Sequence, residues 1–143
     1  MHQLAVLLRN NVGELADVLR HLERESVKLH AISITDSVDC AVVRLVVDRT
    51  ETARQVLSKA GFASIESSLL AVEFPDEECG LLGICRALIQ AEINIHYAYA
   101  MFSRPHGRAV VLVHVESPST AAEVLRRRGF CLIDDEDIGD LSE

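Results

Sequence analysis

Apolar positions along this chain change period several times, and each change marks an element. Leu4 to Leu8 is a short apolar run of strand length. The next segment places Leu15, Val18, Leu19 and Leu22 at i, i+3, i+4 and i+7, one apolar stripe of a helix. Glu14, Asp17, Arg20, Glu23 and Arg24 take its other side. Val27 to Thr35 is mostly β-branched or apolar and predicts a second strand, Asp36-Ser37-Val38-Asp39 has turn composition, and Cys40 to Val47 predicts a third strand. Asp48 or Thr50 can then cap a helix that turns Ala53, Val56, Leu57 and Ala60 inward. Gly61 suits the left-handed position that ends it, and Phe62 opens a last strand continuous in character with Leu69 to Phe74.

The pattern then starts again. Pro75 to Leu82 is a second strand-to-helix turn, with Gly80 standing 67 positions after Gly13. Leu81, Leu82, Cys85, Leu88 and Ile89 give the following helix its apolar side. Ile93 to Met101 predicts a strand matching Ser26 to Ile34. Ser103-Arg104-Pro105-His106-Gly107 predicts a hairpin one residue longer than its counterpart, and Ala109 to Val115 the third strand. Ser117 caps a helix with Pro118 at its first position. Ala53-Arg54-Gln55-Val56-Leu57 and Gly61-Phe62 recur as Ala121-Ala122-Glu123-Val124-Leu125 and Gly129-Phe130 at an offset of 68. A shared offset across five elements makes the chain a tandem duplication. One domain is expected over residues 1–68 and a second over 69–143, the latter ending in an acidic tail from Asp134.

Each half therefore reads βαββαβ, an α+β unit. At this length it folds as a four-stranded antiparallel sheet with both helices on one face, the ferredoxin-like arrangement. The opposite face of such a sheet should alternate to polar residues. Instead Ala41-Val42-Val43 and Val110-Val111-Leu112-Val113 are apolar on both alternating sets, so that face is expected to be covered by another sheet or another chain.

Composition narrows the function. With 143 residues, 49% of them hydrophobic, only 4% aromatic and none Trp, the core is built from Val, Leu, Ile and Ala. Net charge is −8. The longest basic run, Arg126-Arg127-Arg128, ends a helix just before Gly129, where cations complement the helix dipole. Nucleic acid and anionic membrane surfaces are not expected as partners. No apolar stretch approaches the roughly 20 residues of a membrane span, and Met1 to Asn10 lacks a basic leader region. Cys40, Cys79, Cys85 and Cys131 are scattered without a C-x-x-C pair. Free thiols in the cytoplasm are expected.

The chemistry centres on Asn10-Asn11-Val12-Gly13-Glu14-Leu15, a turn into a helix. It leaves backbone N–H groups free at the positive end of a helix dipole, where a carboxylate can sit. Asn10 or Asn11 can cap that end, and Gly13 permits close approach. Its counterpart, Asp76 to Leu81, carries Asp76, Glu77 and Glu78. These repel a carboxylate by about 1 kcal/mol in water and by several when shielded. The six histidines include no i, i+4 pair and no His/Cys group at ligand spacing, so no metal and no cofactor is expected. His30 and His96 occupy corresponding second strands, and Tyr97 and Tyr99 point the same way from one strand. Cys79 stands at a helix start, but three neighbouring acids oppose its activation. No nucleophile, base and oxyanion donors assemble at readable spacing, which favours a binding module over an enzyme.

The turn at Asn10 to Leu15, the strand start Ala91-Glu92-Ile93-Asn94-Ile95 and the Gly-Phe that opens each final strand together resemble a tandem pair of ACT domains over nearly the whole chain. Ile95-His96-Tyr97-Ala98-Tyr99-Ala100 is similar to stand-alone two-repeat members with no catalytic domain attached. The resemblance implies modules whose sheets join side by side and allosteric regulation by a free amino acid. The ligand would lie between the first turn of one module and the second strand of its neighbour. On this chain that implies Asn10, Asn11, Val12, Gly13, Glu14 and Leu15 with Asn94, Ile95 and the strand through Ala100. A second, weaker site would combine Asp76, Cys79, Gly80 and Leu81 with Lys28, Leu29 and the strand through Ile34. Both turns depart from the family's usual Pro-Gly pair, with Val12-Gly13 and Cys79-Gly80 in its place. The expected partners are a free amino acid and a second copy of the chain, paired through the open sheet face. The alternative is a regulatory subunit of a separate biosynthetic enzyme, of the acetolactate synthase type, with no ligand of its own.

Overall fold

The computed structural model describes residues 1–9, 12–75 and 80–139. The first repeat runs β1 (His2–Arg9), α1 (Val12–Arg24), β2 (Leu29–Asp36), β3 (Cys40–Val47), α2 (Thr50–Lys59) and β4 (Ser64–Ser68). The second runs β5 (Leu70–Glu73), α3 (Leu81–Gln90), β6 (Ile95–Ala100), β7 (Val110–Val115), α4 (Pro118–Arg127) and β8 (Cys131–Ile133), followed by a short α5 (Asp135–Gly139). Their sheets have the orders β2-β3-β1-β4 and β6-β7-β5-β8, the ferredoxin-like topology twice. The described residues thus form two sheets of four strands. One compact unit spans His2–Ser67 with Ile138 and Gly139, and the other spans Ser68–Asp137 with Met1. Among the described residues no helix is long and apolar enough to cross a membrane.

Period-two alternation builds each core. Leu4, Val6, Leu8, Val43, Leu45 and Val47 project from one sheet face onto Val18, Leu22, Ala53 and Leu57 of α1 and α2. Val72, Val111, Val113 and Val115 do the same against Ile84, Leu88, Ala121 and Leu125. On the opposite face Gln3, Ala31, Val46, Ala71, Val110, Leu112 and Ile133 are buried as well.

Helices α2 and α4 end in matching caps. Gly61 and Gly129 take φ of +89° and +88°. Phe62 N–H then donates to Leu57 O at 2.9 Å, and Phe130 N–H to Leu125 O at 3.0 Å. The starts of these helices differ from expectation. Arg49 and Ser117 occupy the N-cap positions, neither with a side-chain cap. The Asp48 carboxylate is turned elsewhere and accepts from Lys28 N–H at 2.8 Å.

The second correction concerns the hairpins. Ile34 pairs with Val43 and Ala100 with Val111, so eight residues close the first and ten the second. The second hairpin is therefore two residues longer, not one. Both edge strands carry a register shift at matching places, after Leu29 and after Ile95.

Candidate functional site

The first turn enters α1 at Val12, so Gly13, Glu14 and Leu15 belong to the first helical turn. Asn10 and Asn11 lie outside the described residues. The Glu14 carboxylate folds back and accepts from Arg9 N–H at 2.6 Å, tying the strand end to the helix start. Leu15 is half-buried against the first core, while Gly13 is exposed. On the strand side, Asn94 is exposed and its amide donates to the Glu116 carboxylate at 3.4 Å. Ile95 packs on the second core, and Ala100 is exposed on β6.

For the second expected site, Asp76 and Cys79 lie outside the described residues. Gly80 is the N-cap of α3 with φ −69°, and a Cβ placed on it would stand 3.8 Å from the Phe74 ring. Lys28 is exposed, Leu29 is half-buried against the first core, and Ile34 is 52% exposed.

The second repeat brings together one residue from each expected site. Ala100 and Leu81 both line a pocket of about 460 Å³, with Phe74, Ala98, Met101, Arg104 and Val111 among its other walls. Its volume falls in the range that small-molecule sites occupy, about 300–1,000 Å³. The alternation of β6 and the start of α3 place small Ala98 and Ala100 side chains opposite Phe74 and Leu81, which leaves the space open. Among the described residues Arg104, from the hairpin, is the one charged side chain in the lining. The first two N–H groups of α3 have no helical partner by geometry, so the pocket edge carries anion-binding potential as well. Sequence reasoning missed Arg104 and Phe74. Neither belongs to a motif, and the longer hairpin was the only signal available for Arg104.

Two further polar groupings belong to the same repeat. Tyr97, Tyr99 and His114 stack on the face away from the helices. Tyr97 and His114 ring centroids are 4.8 Å apart at 3°, and Tyr97 and Tyr99 centroids 6.4 Å apart. The other grouping has no signature in the spacing of the sequence. Glu73, His106 and Cys131 bring a carboxylate oxygen, a ring nitrogen and a sulfur within 4.8 Å of one another. His106 Nδ1 lies 3.1 Å from Glu73 Oε2, and its Nε2 lies 3.6 Å from Asp137 Oδ1. Hydrogen bonding to the Glu73 carboxylate, aided by its charge, raises the imidazole pKa. Burial, then Glu73, pushes the Cys131 thiol up. The three side chains come from a strand, a hairpin and another strand, so no spacing along the chain announces them.

Two ferredoxin-like repeats in tandem, the second with a pocket at its strand-to-helix turn, define a class of paired α+β modules. The match to a family model narrows it: the description is ACT domain pair, over residues 1–142, and the chain belongs to that family. No curated protein matches it. Among solved structures it is similar to a protein from Bacteroides thetaiotaomicron, with TM-score 0.87 and 24% identity over 96% of this chain and 94% of that one. It is also similar to the ligand-free regulatory subunit of aspartate kinase from Thermus thermophilus, with TM-score 0.60 and 14% identity over 88% of this chain and 91% of that one. The corresponding subunit from Thermus flavus gives TM-score 0.59 and 13% identity over 87% of this chain and 88% of that one. At these identities the likeness is one of fold.

Proposed function

We propose that this ACT domain pair is a non-catalytic regulatory protein that binds a free amino acid on the β6 wall of its second repeat. The observation that carries this is the pocket of about 460 Å³ lined by Ala98, Ala100, Leu81, Phe74 and Arg104. Its apolar walls suit an aliphatic side chain. Arg104 supplies a donor pair for the α-carboxylate. In the family's arrangement the turn of a neighbouring repeat, Asn10 to Leu15, completes the site. The weaker site would pair the acidic turn with β2, where Ile34 stands in register with the position of Ala100.

A thermal-shift screen of the twenty amino acids tests the reading. A ligand at one hundred times its Kd adds about 2.7 kcal/mol to stability. One amino acid or one chemically related group should raise the melting temperature, and Arg104→Gln should abolish the rise. If no amino acid shifts the melt, the reading fails. A regulatory subunit of a separate enzyme then takes its place, as the Thermus thermophilus neighbour is of aspartate kinase. Its test is co-purification with a biosynthetic enzyme.

A further inference from the structure

The two repeats differ sharply at one pair of positions away from the pocket. Leu7 pairs with Val42 across the central ladder, and Glu73 pairs with Val110 in the same way. Leu7 N–H donates to Ala63 O at 3.2 Å, and Glu73 stands opposite Cys131. The same two places therefore hold Leu and Ala in one repeat, and Glu and Cys in the other. In the first repeat this place is open, with Leu7 48% exposed. Yet Glu73 is 4% exposed. A carboxylate taken out of water is costly unless something compensates it. The longer second hairpin brings His106 to it, 3.1 Å away.

The geometry points to a binding site for a divalent transition-metal ion of the Zn²⁺ class, held by the Glu73 carboxylate, His106 Nδ1 and the Cys131 thiolate, with Asp137 orienting the imidazole. Glu73 and Cys131 are directly opposed on antiparallel strands, so their side chains leave the sheet as neighbours on one face. Nδ1 of His106 faces Glu73 while Nε2 faces Asp137. That is the order in which a carboxylate fixes the ring of a metal-bound histidine from behind. A sulfur, nitrogen and oxygen donor set selects Zn²⁺ or Co²⁺ over Mg²⁺ and Ca²⁺.

Bond lengths of about 2.0 to 2.3 Å put the donors of a tetrahedral ion roughly 3.3 to 3.7 Å apart. The three donors stand within 4.8 Å, so an inward movement of about 1 Å suffices. The buried Glu73 is the fixed point, and His106 and Cys131 are exposed and able to move. The thiolate and carboxylate together cancel the charge of the ion. Binding displaces the proton of the Cys131 thiol and the proton carried on His106 Nδ1, both of which go to solvent. Three protein ligands leave a fourth position for water or a small ligand.

Titration of metal-stripped, reduced protein with Co²⁺ tests this directly. One equivalent per chain should produce a near-ultraviolet sulfur-to-cobalt charge-transfer band and the visible bands of a four-coordinate ion. Cys131→Ala and Glu73→Leu install the residue types that the first repeat carries, and matching circular dichroism records that each variant is folded. Cys131→Ala should abolish the charge-transfer band. Glu73→Leu should weaken binding at least tenfold, and Asp137→Asn should weaken it 10- to 100-fold. The proposal is overturned if no thiolate band forms or if the band survives Cys131→Ala. It is equally overturned if Glu73→Leu leaves the affinity unchanged, in which case the cluster is a hydrogen-bonded strap for the hairpin.

Discussion

Edge strand β2 of the first repeat carries Ile32 and Ile34 where β6 of the second carries Ala98 and Ala100. Residues with the same hydrogen-bonding register thus fill space in one copy and leave it open in the other. The cores of the two copies, by contrast, are nearly interchangeable. Leu57 and Leu125 are both fully buried at matching helix positions, and both helices end in a positive-φ glycine. Duplication has kept what holds each repeat together and varied the residues at its edge and turns. The lesson is that a repeat provides its own control. A side chain that one copy does without is not required by the fold.

The largest test of this comparison is in the shared core. Leu57→Ala and Leu125→Ala should each cost about 2–5 kcal/mol, read by urea unfolding, because neither helix can collapse onto the vacancy. The costs should agree within about 1 kcal/mol. A markedly cheaper change in one repeat would show that the copies are not held together alike.

The next effect separates the copies. His30 is fully buried, whereas His96, its counterpart in register, is exposed. Burial first, and Lys28 second, hold the His30 pKa below its ordinary 6.5, with Asp48 opposing. The unfolded chain therefore takes up this proton more readily than the folded one. Stability from His30 is complete above pH 6.5 and is lost as pH falls from there toward the depressed folded value. The loss runs at up to about 1.4 kcal/mol per pH unit. Denaturation measured from pH 7.5 down to about 5 should show a steeper decline for the native chain than for His30→Gln. Parallel curves would remove His30 as the cause.

The smallest effect lies at the helix ends. Ser26 and Glu92 end α1 and α3 with φ of +55° and +56°, a region costly for any residue but Gly. Ser26→Gly and Glu92→Gly should each stabilise by a few tenths to about 1 kcal/mol in thermal melts, the relief being partly offset by glycine's freedom in the unfolded chain. Gly61→Ala and Gly129→Ala should each lose about 1 kcal/mol, because nothing lies within 4 Å to be disturbed and only φ is at stake.

Much of the fold was legible in the pattern of the chain. β3 spans Cys40–Val47, the bounds expected from the sequence, and α4 begins at Pro118 as proline at the first turn requires. The length of the second hairpin was not legible. The two copies keep an offset of 66 from the first strand through the second and reach 68 only across the hairpin, which ladder pairing reveals. Helix caps were misjudged because Asp48 satisfies a neighbouring backbone N–H instead of its own helix. Of the candidate site, Ala100 and Leu81 were named from family resemblance, yet their meeting in one pocket depends on how α3 packs beside β6. Arg104 and the Glu73, His106 and Cys131 group depend on long-range folding, which no local spacing encodes. Comparing Leu7 with Glu73 and Ala63 with Cys131 would have drawn attention to the group, had the register been known.

The central claim is that the second repeat, not the first, offers the ligand its wall. Titration calorimetry with the amino acid that most raises the melting temperature, on the native chain and on Ala100→Ile, addresses it directly. Ala100→Ile installs the side chain that the first repeat carries at Ile34. The account predicts one strong site per chain, weakened at least tenfold in Ala100→Ile while the melting temperature without ligand stays unchanged. Two equal sites per chain, or full affinity in Ala100→Ile, would contradict it.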